Sequence, residues 1–389
     1  MTSPPAALLD CFAVTHPGAE TITARELSAL GIVPGEMEAG GVAFQADERG
    51  LRAANLHLRT ASRVLVRIGV FRASAFSELE RRGRHLPWER FITPGSGVRF
   101  RVTSRKSRLY HQDAVAERLL AIAGRTVPGL TAANAAGSGD ESDAADDGPR
   151  TDAQLVVVRL VRDRCTISVD SSGELLHRRG YRLAVAKAPL RETLAAAMLL
   201  GVGWDGSVPL VDPFCGSGTI PIEGAMIARR IPPGIGRRFA FERWPGFDAA
   251  GWREDLDRAR SAIRPEAGVA IVASDRDSGA IEAATANALR AGVSADLSIR
   301  QAAMSAVAVP DTPGWIVTNP PYGGRVGDRL GLRDLYAQLG HVARRLPGGW
   351  RIALLSAQAE LEAQAALAFA PVFTTSNGGI PVRLVRAEP

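Results

Sequence analysis

The chain has 389 residues, enough for two or three domains of ordinary size, and its 46% hydrophobic content is that of a folded globular protein. A net charge of +6 suits a polyanionic partner without specifying one. The three cysteines, Cys11, Cys165 and Cys215, lie too far apart for a disulfide framework or a zinc site, and the six histidines form no HExxH pair. The longest apolar stretch, around Leu194 to Trp204, falls far short of the ~20 residues of a membrane span. The amino terminus lacks a basic region before Ala6-Ala7-Leu8-Leu9, and Asp10 interrupts it. A cytoplasmic protein with neither metal nor membrane attachment is the expectation.

In chain order, short strands and helices alternate first: a strand over 11–15, a helix over 19–30, a strand over 42–45, a helix over 49–60 and a strand over 63–71. That order suits small α+β domains. Val98-Arg99-Phe100-Arg101-Val102 alternates apolar and basic residues, so one face packs inward while Arg99 and Arg101 face out, with Arg105, Lys106 and Arg108 following. Such a basic sheet edge either tracks phosphates or is a solvated polar face. Residues 131–152 contain Asp140, Glu141, Asp143, Asp146 and Asp147 among Ala, Gly and Ser, and read as a disordered acidic loop. Strand-like 155–160 resumes directly afterwards, so the loop interrupts a domain rather than separating two.

Leu210-Val211 ends a short apolar strand, and a helical pattern runs from Gly216 to Ile227, so the glycines sit at a strand-to-helix turn that a ligand can approach closely. A phosphate-cradling loop would end in Gly-Lys-Ser/Thr, and a dinucleotide fingerprint would have a third glycine where Pro221 stands. Asp212 would repel a pyrophosphate but attract the α-ammonium of a methionine moiety, which points to S-adenosylmethionine. The candidate cofactor loop comprises Asp212, Pro213, Phe214, Gly216, Ser217, Gly218 and Thr219. Asp275 closes the apolar run 269–273 and is placed to accept both ribose hydroxyls, while Asp277 better fits the N-cap of a helix over 278–290. Thr219 and Asp275 are 56 residues apart, so something is inserted. The insert, 229–268, interleaves Arg237 and Arg238 with Phe239, Phe241, Trp244, Phe247 and Trp252; it either clamps a nucleic acid or packs a small core of its own.

Trp315-Ile316-Val317-Thr318 reads as a strand followed by Asn319-Pro320-Pro321-Tyr322 at its carboxyl end, where open α/β sheets place ligands. The two prolines make a rigid turn whose Pro320 carbonyl and Asn319 side chain can face one substrate group. Two rigid acceptors suit an NH2 group, and Tyr322 would stack on the plane of a base. A planar exocyclic amine is a poor nucleophile until its hydrogens are held. Cys215 as a nucleophile is disfavoured, because it would lie beside the cofactor rather than below a base ring.

With these motifs the chain resembles the THUMP-domain class I RNA methyltransferases that make N2-methylguanosine, and most closely the bacterial large-subunit rRNA guanine-N2 methyltransferases. The resemblance runs through 9–18 (LDCFAVTHPG), 172–182 (SGELLHRRGYR), 188–196 (APLRETLAA) and 377–384 (NGGIPVRL), besides the two motifs above. It implies that Asp212, Gly216, Gly218 and Asp275 contact S-adenosylmethionine and that Asn319 to Tyr322 hold the guanine amine. It also tips Arg99, Arg101, Arg105, Lys106 and Arg108 toward RNA. Ser171 stands where a leucine is usual, and Ala303 where an aspartate usually meets the adenine amine, so one cofactor hydrogen bond is missing.

The implied fold is α/β: a doubly wound Rossmann-like class I methyltransferase domain over 201–389, preceded by an α+β ferredoxin-like part over 1–62, a THUMP region over 63–170 and a connecting segment with a helix over 171–200. Ribosomal RNA is favoured over transfer RNA, with the protein acting as a monomer. Relatives that carry a second methyltransferase domain make two modifications; a chain ending at Pro389 should make one. Adenine-N6 and glutamine-N5 methyltransferases share the Asn-Pro-Pro-Tyr motif, and a noncatalytic RNA-binding factor could keep the fold; the long basic amino-terminal region argues against the protein substrate.

Overall fold

The computed structural model describes residues 8–133, 152–182, 190–322 and 329–389. The amino-terminal half begins with β1 (Leu9–Thr15), α1 (Glu20–Ala29), β2 (Pro34–Glu38), β3 (Gly41–Ala46), α2 (Glu48–His57) and β4 (Ala61–Arg72). It continues through α3 (Phe76–Gly83), α4 (Trp88–Phe91), β5 (Gly97–Arg105), α5 (Gln112–Thr126), β6 (Thr131–Ala132), β7 (Gln154–Val161) and β8 (Arg164–Asp170). All eight strands share one sheet in the order β2-β3-β1-β4-β8-β7-β5-β6. Its twelve-residue β4 pairs with β1 through its first half and with β8 through its second, so a division at residues 62 and 63 would fall inside one strand.

Alternation explains the strands that were legible. Cys11 and Ala13 of β1, Val64 and Val66 of β4, and Val156, Val158 and Leu160 of β7 all point into one core, while α2 is opened by Asp47, whose side chain accepts from the Gly50 amide. The short β2 gives no such signal because it is an exposed edge strand beginning Pro34-Gly35. Two expectations for the acidic stretch need separating. Thr131 and Ala132 form strand β6 against Gly97 and Val98 and are not loop, whereas the five carboxylates at 140–147 lie outside the described residues. Because β7 pairs in parallel with β5 along Val98 to Arg105, the stretch is an insertion within one sheet.

The carboxyl-terminal half runs α6 (Glu192–Gly201), β9 (Leu210–Asp212), α7 (Thr219–Ala228), α8 (Ala249–Ser261), β10 (Ile271–Asp275), α9 (Ser278–Arg290), β11 (Leu297–Gln301) and β12 (Trp315–Thr318). Then follow α10 (Arg329–Ala343), β13 (Arg351–Ser356), α11 (Ala359–Gln364), β14 (Ala370–Asn377) and β15 (Ile380–Ala387). The sheet order is β11-β10-β9-β12-β13-β15-β14, parallel from β11 to β13, with β15 antiparallel to both of its neighbours. The chain winds outward from β9 to β11, returns, and winds the other way from β12. The crevice between β9 and β12 is therefore the topological switch point, where such sheets bind ligands. Helices α6 and α7 are apolar almost all round and buried along nearly their whole length, as helices sandwiched between layers must be.

The insert between α7 and β10 packs its aromatics on the amino-terminal half. Phe239, Phe241 and Trp252 are buried in the core of the amino-terminal half, with Phe239 and Phe241 stacked at 5.2 Å, and Trp244 donates its indole N–H to Gln154. These aromatics fasten one half to the other. A buried polar junction beside them does the same. The Arg59 guanidinium donates to the carbonyls of Met226 and Ile231 at the end of α7, while its backbone N–H and that of Thr60 are accepted by Glu26. Arg179 meets Glu223 of α7 and donates to the Arg59 carbonyl, and the Tyr181 hydroxyl also donates to Glu223. Burial raises the pKa of Glu26 despite those donors.

Gly18 shows how closely the halves approach. Its φ is +90°, and a Cβ there would sit 2.2 Å from the carbonyl oxygen of Thr374 on β14. Gly95 has φ +77° with open space around it. Gly18→Ala should therefore cost the backbone strain plus a clash with main chain that cannot swing away, roughly 2 kcal/mol or more, against about 1 kcal/mol for Gly95→Ala. Urea denaturation of the two variants beside the parent checks this; equal losses would mean the contact between the halves yields easily.

Candidate functional site

Strand β9 delivers Asp212 to the switch point, and β12 delivers Thr318 beside it. The Asp212 carboxylate is 1% exposed and accepts from the Thr318 hydroxyl at 2.6 Å and the Phe214 N–H at 3.1 Å. Burial pushes its pKa up to about 7, the two hydrogen bonds pull the other way, and the Asp275 charge adds a smaller push upward. In the chain beyond Asp212, Gly216 has φ +51° with nothing within 4 Å of where a side chain would stand, and Gly218 has φ +85° where a side chain would press on Ala284. Glycine at 216 leaves open space over the loop; glycine at 218 lets α7 and α9 pack.

Asp275 lies at the carboxyl end of β10, half-buried, and accepts from the Gly216 N–H at 3.0 Å and the Asp277 N–H at 3.1 Å. Each oxygen keeps acceptor capacity for a ligand hydroxyl. The capping role falls to Asp277, which accepts from the Gly279 and Ala280 amides at the start of α9. Pro213, Ser217 and Thr219 are buried, so their side chains shape the loop from beneath, while Phe214 and Gly216 reach its surface. The Ser217 carbonyl is held by Asn287, a fully buried amide in α9. Cys215 is buried and its thiol pKa is pushed up by desolvation and by Asp212 and Asp275, which removes it as a nucleophile.

Directly after Thr318, Asn319 is partly buried, Pro320 buried and Pro321 exposed. The Asn319 Oδ1 is shielded from solvent and, among the described residues, meets no hydrogen-bond donor. An orphaned buried acceptor costs ~1–3 kcal/mol, a strain such sites hold until a ligand donor arrives. Tyr322 is positioned twice: its hydroxyl accepts from Asn377 at 2.7 Å and its carbonyl from Gln358 at 3.1 Å. Burial raises the Tyr322 pKa, and the Asn377 bond offsets it in part. Thr318, Asn287, Gln358 and Asn377 carry the supporting bonds and were not singled out from the sequence. Thr318 adjoins the motif and Asn377 opens the stretch 377–384, so both had a signal; an asparagine inside the Ala-rich run of α9 was the signal for Asn287.

The sequence-predicted basic edge is only partly as expected. Arg99 is half-buried beside Arg63 and Asp170, on the face opposite to Val98, and its Nε is shielded. Arg101 is half-buried, and Arg105, Lys106 and Arg108 are exposed. This group sits on the other half of the molecule, not in the crevice. Ala303 lies two residues beyond β11, exposed, with the Ala302 N–H donating to the Asp275 carbonyl. Among the described residues no group of three or more His, Cys, Asp or Glu could hold a metal ion, and no helix is long and apolar enough to cross a membrane.

Ionisation of Asp212 carries a testable sign. With a folded pKa of about 7 against 3.8 when unfolded, the native state holds a proton that the unfolded chain has lost, so the associated stability is full below about pH 4 and is lost as pH rises through 7. Relative to Asp212→Asn, which keeps both hydrogen bonds, the parent should lose up to ~4 kcal/mol between those limits and no more above them. Thermal unfolding of both proteins across that range, without added ligand, checks it; a constant difference between them would refute the buried carboxyl assignment.

The crevice and loop geometry have counterparts in known proteins. A family model described as the RMKL-like methyltransferase domain matches residues 179–386, and one described as the RlmL ferredoxin-like domain matches 10–65. The sequence is 31% identical over 382 residues to a Synechocystis sp. protein provisionally named an RNA methyltransferase, covering 97% of this chain and 96% of that one. It is 34% identical over 392 residues to the ribosomal RNA large subunit methyltransferase K/L of Methylococcus capsulatus, covering 96% of this chain and 50% of that enzyme. The chain thus spans about half the length of that relative. A solved structure, provisionally described as a methyltransferase and complexed with SAH, superposes with a TM-score of 0.84 at 28% identity over 98% of both chains. On its sequence, its two-part architecture and its crevice, this chain belongs to the RMKL-like methyltransferase family.

Proposed function

We propose that the protein methylates the exocyclic N2 amine of a guanosine in large-subunit ribosomal RNA, using S-adenosylmethionine. The observation that carries the amine reading is the buried, unpartnered Asn319 Oδ1, one residue from the Thr318–Asp212 bond. That acceptor sits at a switch point, next to the loop where a nucleoside cofactor would lie. Ribosomal RNA is supported by the Methylococcus relative, whose name states that substrate.

The loop fits S-adenosylmethionine. Asp212, once ionised, would face the α-ammonium; Gly216 leaves room for close approach; Asp275 keeps lone pairs for the ribose hydroxyls. When bound, the cofactor supplies an electrophilic methyl on a sulfonium. The remaining work belongs to the protein. Asn319 accepts one amine hydrogen and the Pro320 carbonyl the other, which holds the nitrogen in one orientation, and Tyr322, fixed by Asn377 and Gln358, stacks on the base. No protein nucleophile is needed. A paired guanine must be unstacked first, at a few kcal/mol, so incompletely folded RNA is the better substrate. The amino-terminal sheet, read as a ferredoxin-like and THUMP unit with Arg101, Arg105, Lys106 and Arg108 outward, holds that RNA; the protein acts as a monomer in the cytoplasm.

Nucleoside mass spectrometry on separated rRNA and tRNA from a strain lacking the gene should show loss of N2-methylguanosine from 23S rRNA alone. Loss from tRNA would move the substrate, and loss of N6-methyladenosine with N2-methylguanosine intact would replace guanine with adenine. In the purified protein, Asn319→Ala should lower turnover by at least ~100-fold while RNA affinity is kept, because the lost acceptor acts on the reacting group. Retained turnover would sink the amine-holding role.

A further inference from the structure

The end of the amino-terminal sheet farthest from the insert gathers cations that the sequence disperses over ninety residues. Strand pairing sets Arg105 of β5 beside Val161 of β7, Val161 opposite Arg164 of β8, and Arg164 opposite Arg72 of β4. Lys106 and Arg108 follow β5, and Arg162 turns from β7 to β8. Arg72, Arg105, Lys106, Arg108, Arg162 and Arg164 are all exposed. Among the described residues, Arg72, Lys106, Arg108, Arg162 and Arg164 have no carboxylate partner. Four adjacent strands at about 4.8 Å spacing make a strip of roughly 15 Å.

The acid of the β7–β8 turn is used internally. Asp163 accepts from the backbone N–H of Arg108 at 2.8 Å, its own N–H donates to the Ser107 hydroxyl at 3.0 Å, and its carbonyl accepts from the Ala73 N–H. The Arg162 N–H donates to the Arg105 carbonyl. These bonds hold Lys106, Arg162 and Asp163 at φ of +51°, +50° and +64°, three of the five non-glycine residues in that region among those described. Arg162 and Asp163 form the two-residue turn of the β7–β8 hairpin, for which positive φ at both positions is the favoured geometry, and the turn fixes where Arg162 and Arg164 project. Beside this turn, Tyr110 is 65% exposed and lies against His111 with ring centroids 4.1 Å apart, an aromatic face open to solvent.

We propose that this sheet tip is a grip for single-stranded RNA: Arg72, Lys106, Arg108, Arg162 and Arg164 contact successive phosphates, and Tyr110 stacks on one base. The proposal rests on the RNA reading above but names a site apart from the crevice and, in Arg72, Arg162 and Arg164, cations from two strands and a turn other than β5. Aromatic faces beside a cationic track suit single strands, whose bases are free to stack, better than an acidic protein segment.

Fluorescence anisotropy of labelled oligouridine across a potassium chloride series tests it on the full chain. Arg72→Ala/Arg164→Ala should make the slope of log K against log salt shallower by about 1.4, and Tyr110→Ala should weaken binding roughly tenfold with the slope unchanged. Arg258→Ala/Arg260→Ala, exposed on α8, is the control and should change neither. Equal slope changes in the control, displacement by polyglutamate as readily as by oligouridine, or an unaltered slope in the Arg72/Arg164 variant would each overturn the grip. The readout needs no methyl transfer, so a wrong base assignment leaves it standing, whereas methylation kept alongside an unaltered slope sinks the grip alone.

Discussion

A carboxylate forced into a dry crevice governs this molecule. Asp212 has nowhere to send its charge except the Thr318 hydroxyl and the Phe214 amide, and burial raises its pKa to about 7. The Thr318 bond joins β9 to β12, the two strands from which the chain winds in opposite directions. Everything proposed for the chemistry radiates from that pair. The glycine loop follows Asp212, the Asn319 turn follows Thr318, and Asp275 reaches across to hold Gly216. Without the return of the chain from β11 to β12, these motifs would be separate surface loops.

The second constraint is the seam between the halves. It combines aromatic anchoring from the insert with buried charges, Arg59 and Arg179 against Glu26 and Glu223. Burying ionic groups rarely adds much stability over an apolar seam, because desolvation offsets their attraction. Their directionality does restrict how the halves can dock. Arg59 ends on carbonyls at the carboxyl end of α7, the helix whose amino end carries the glycine loop. The amino-terminal sheet is thereby kept in a set relation to the crevice.

The legible parts of the sequence were those with strong local signals. The alternation of β7, the apolar run before Asp275, the helix over 278–290 and the strand 315–318 stand where their patterns put them. The edge strand β2 was hidden by its exposure and its Pro-Gly start, and β6 by its two-residue length. Arg99 was legible only in part for a different reason: alternation tells which face a residue takes, not what packs on that face, and Arg63 and Asp170 lie 36 and 71 residues away in the chain. The insert's aromatics look the same in sequence whether they stack on bases or fill a neighbour's core.

By itself the sequence determined the glycine-loop and Asn-Pro-Pro-Tyr motifs, the α/β periodicity and the split into a basic amino-terminal region and a doubly wound half, since each is encoded within a few neighbouring residues. Only the tertiary structure decided which distant groups meet: Thr318 with Asp212, Asn377 with Tyr322, Asn287 with Ser217, and Arg72 with Arg164 at the sheet tip. Those pairings depend on strand order, register and the burial that accompanies them. None of these is local, so no window of sequence contains them.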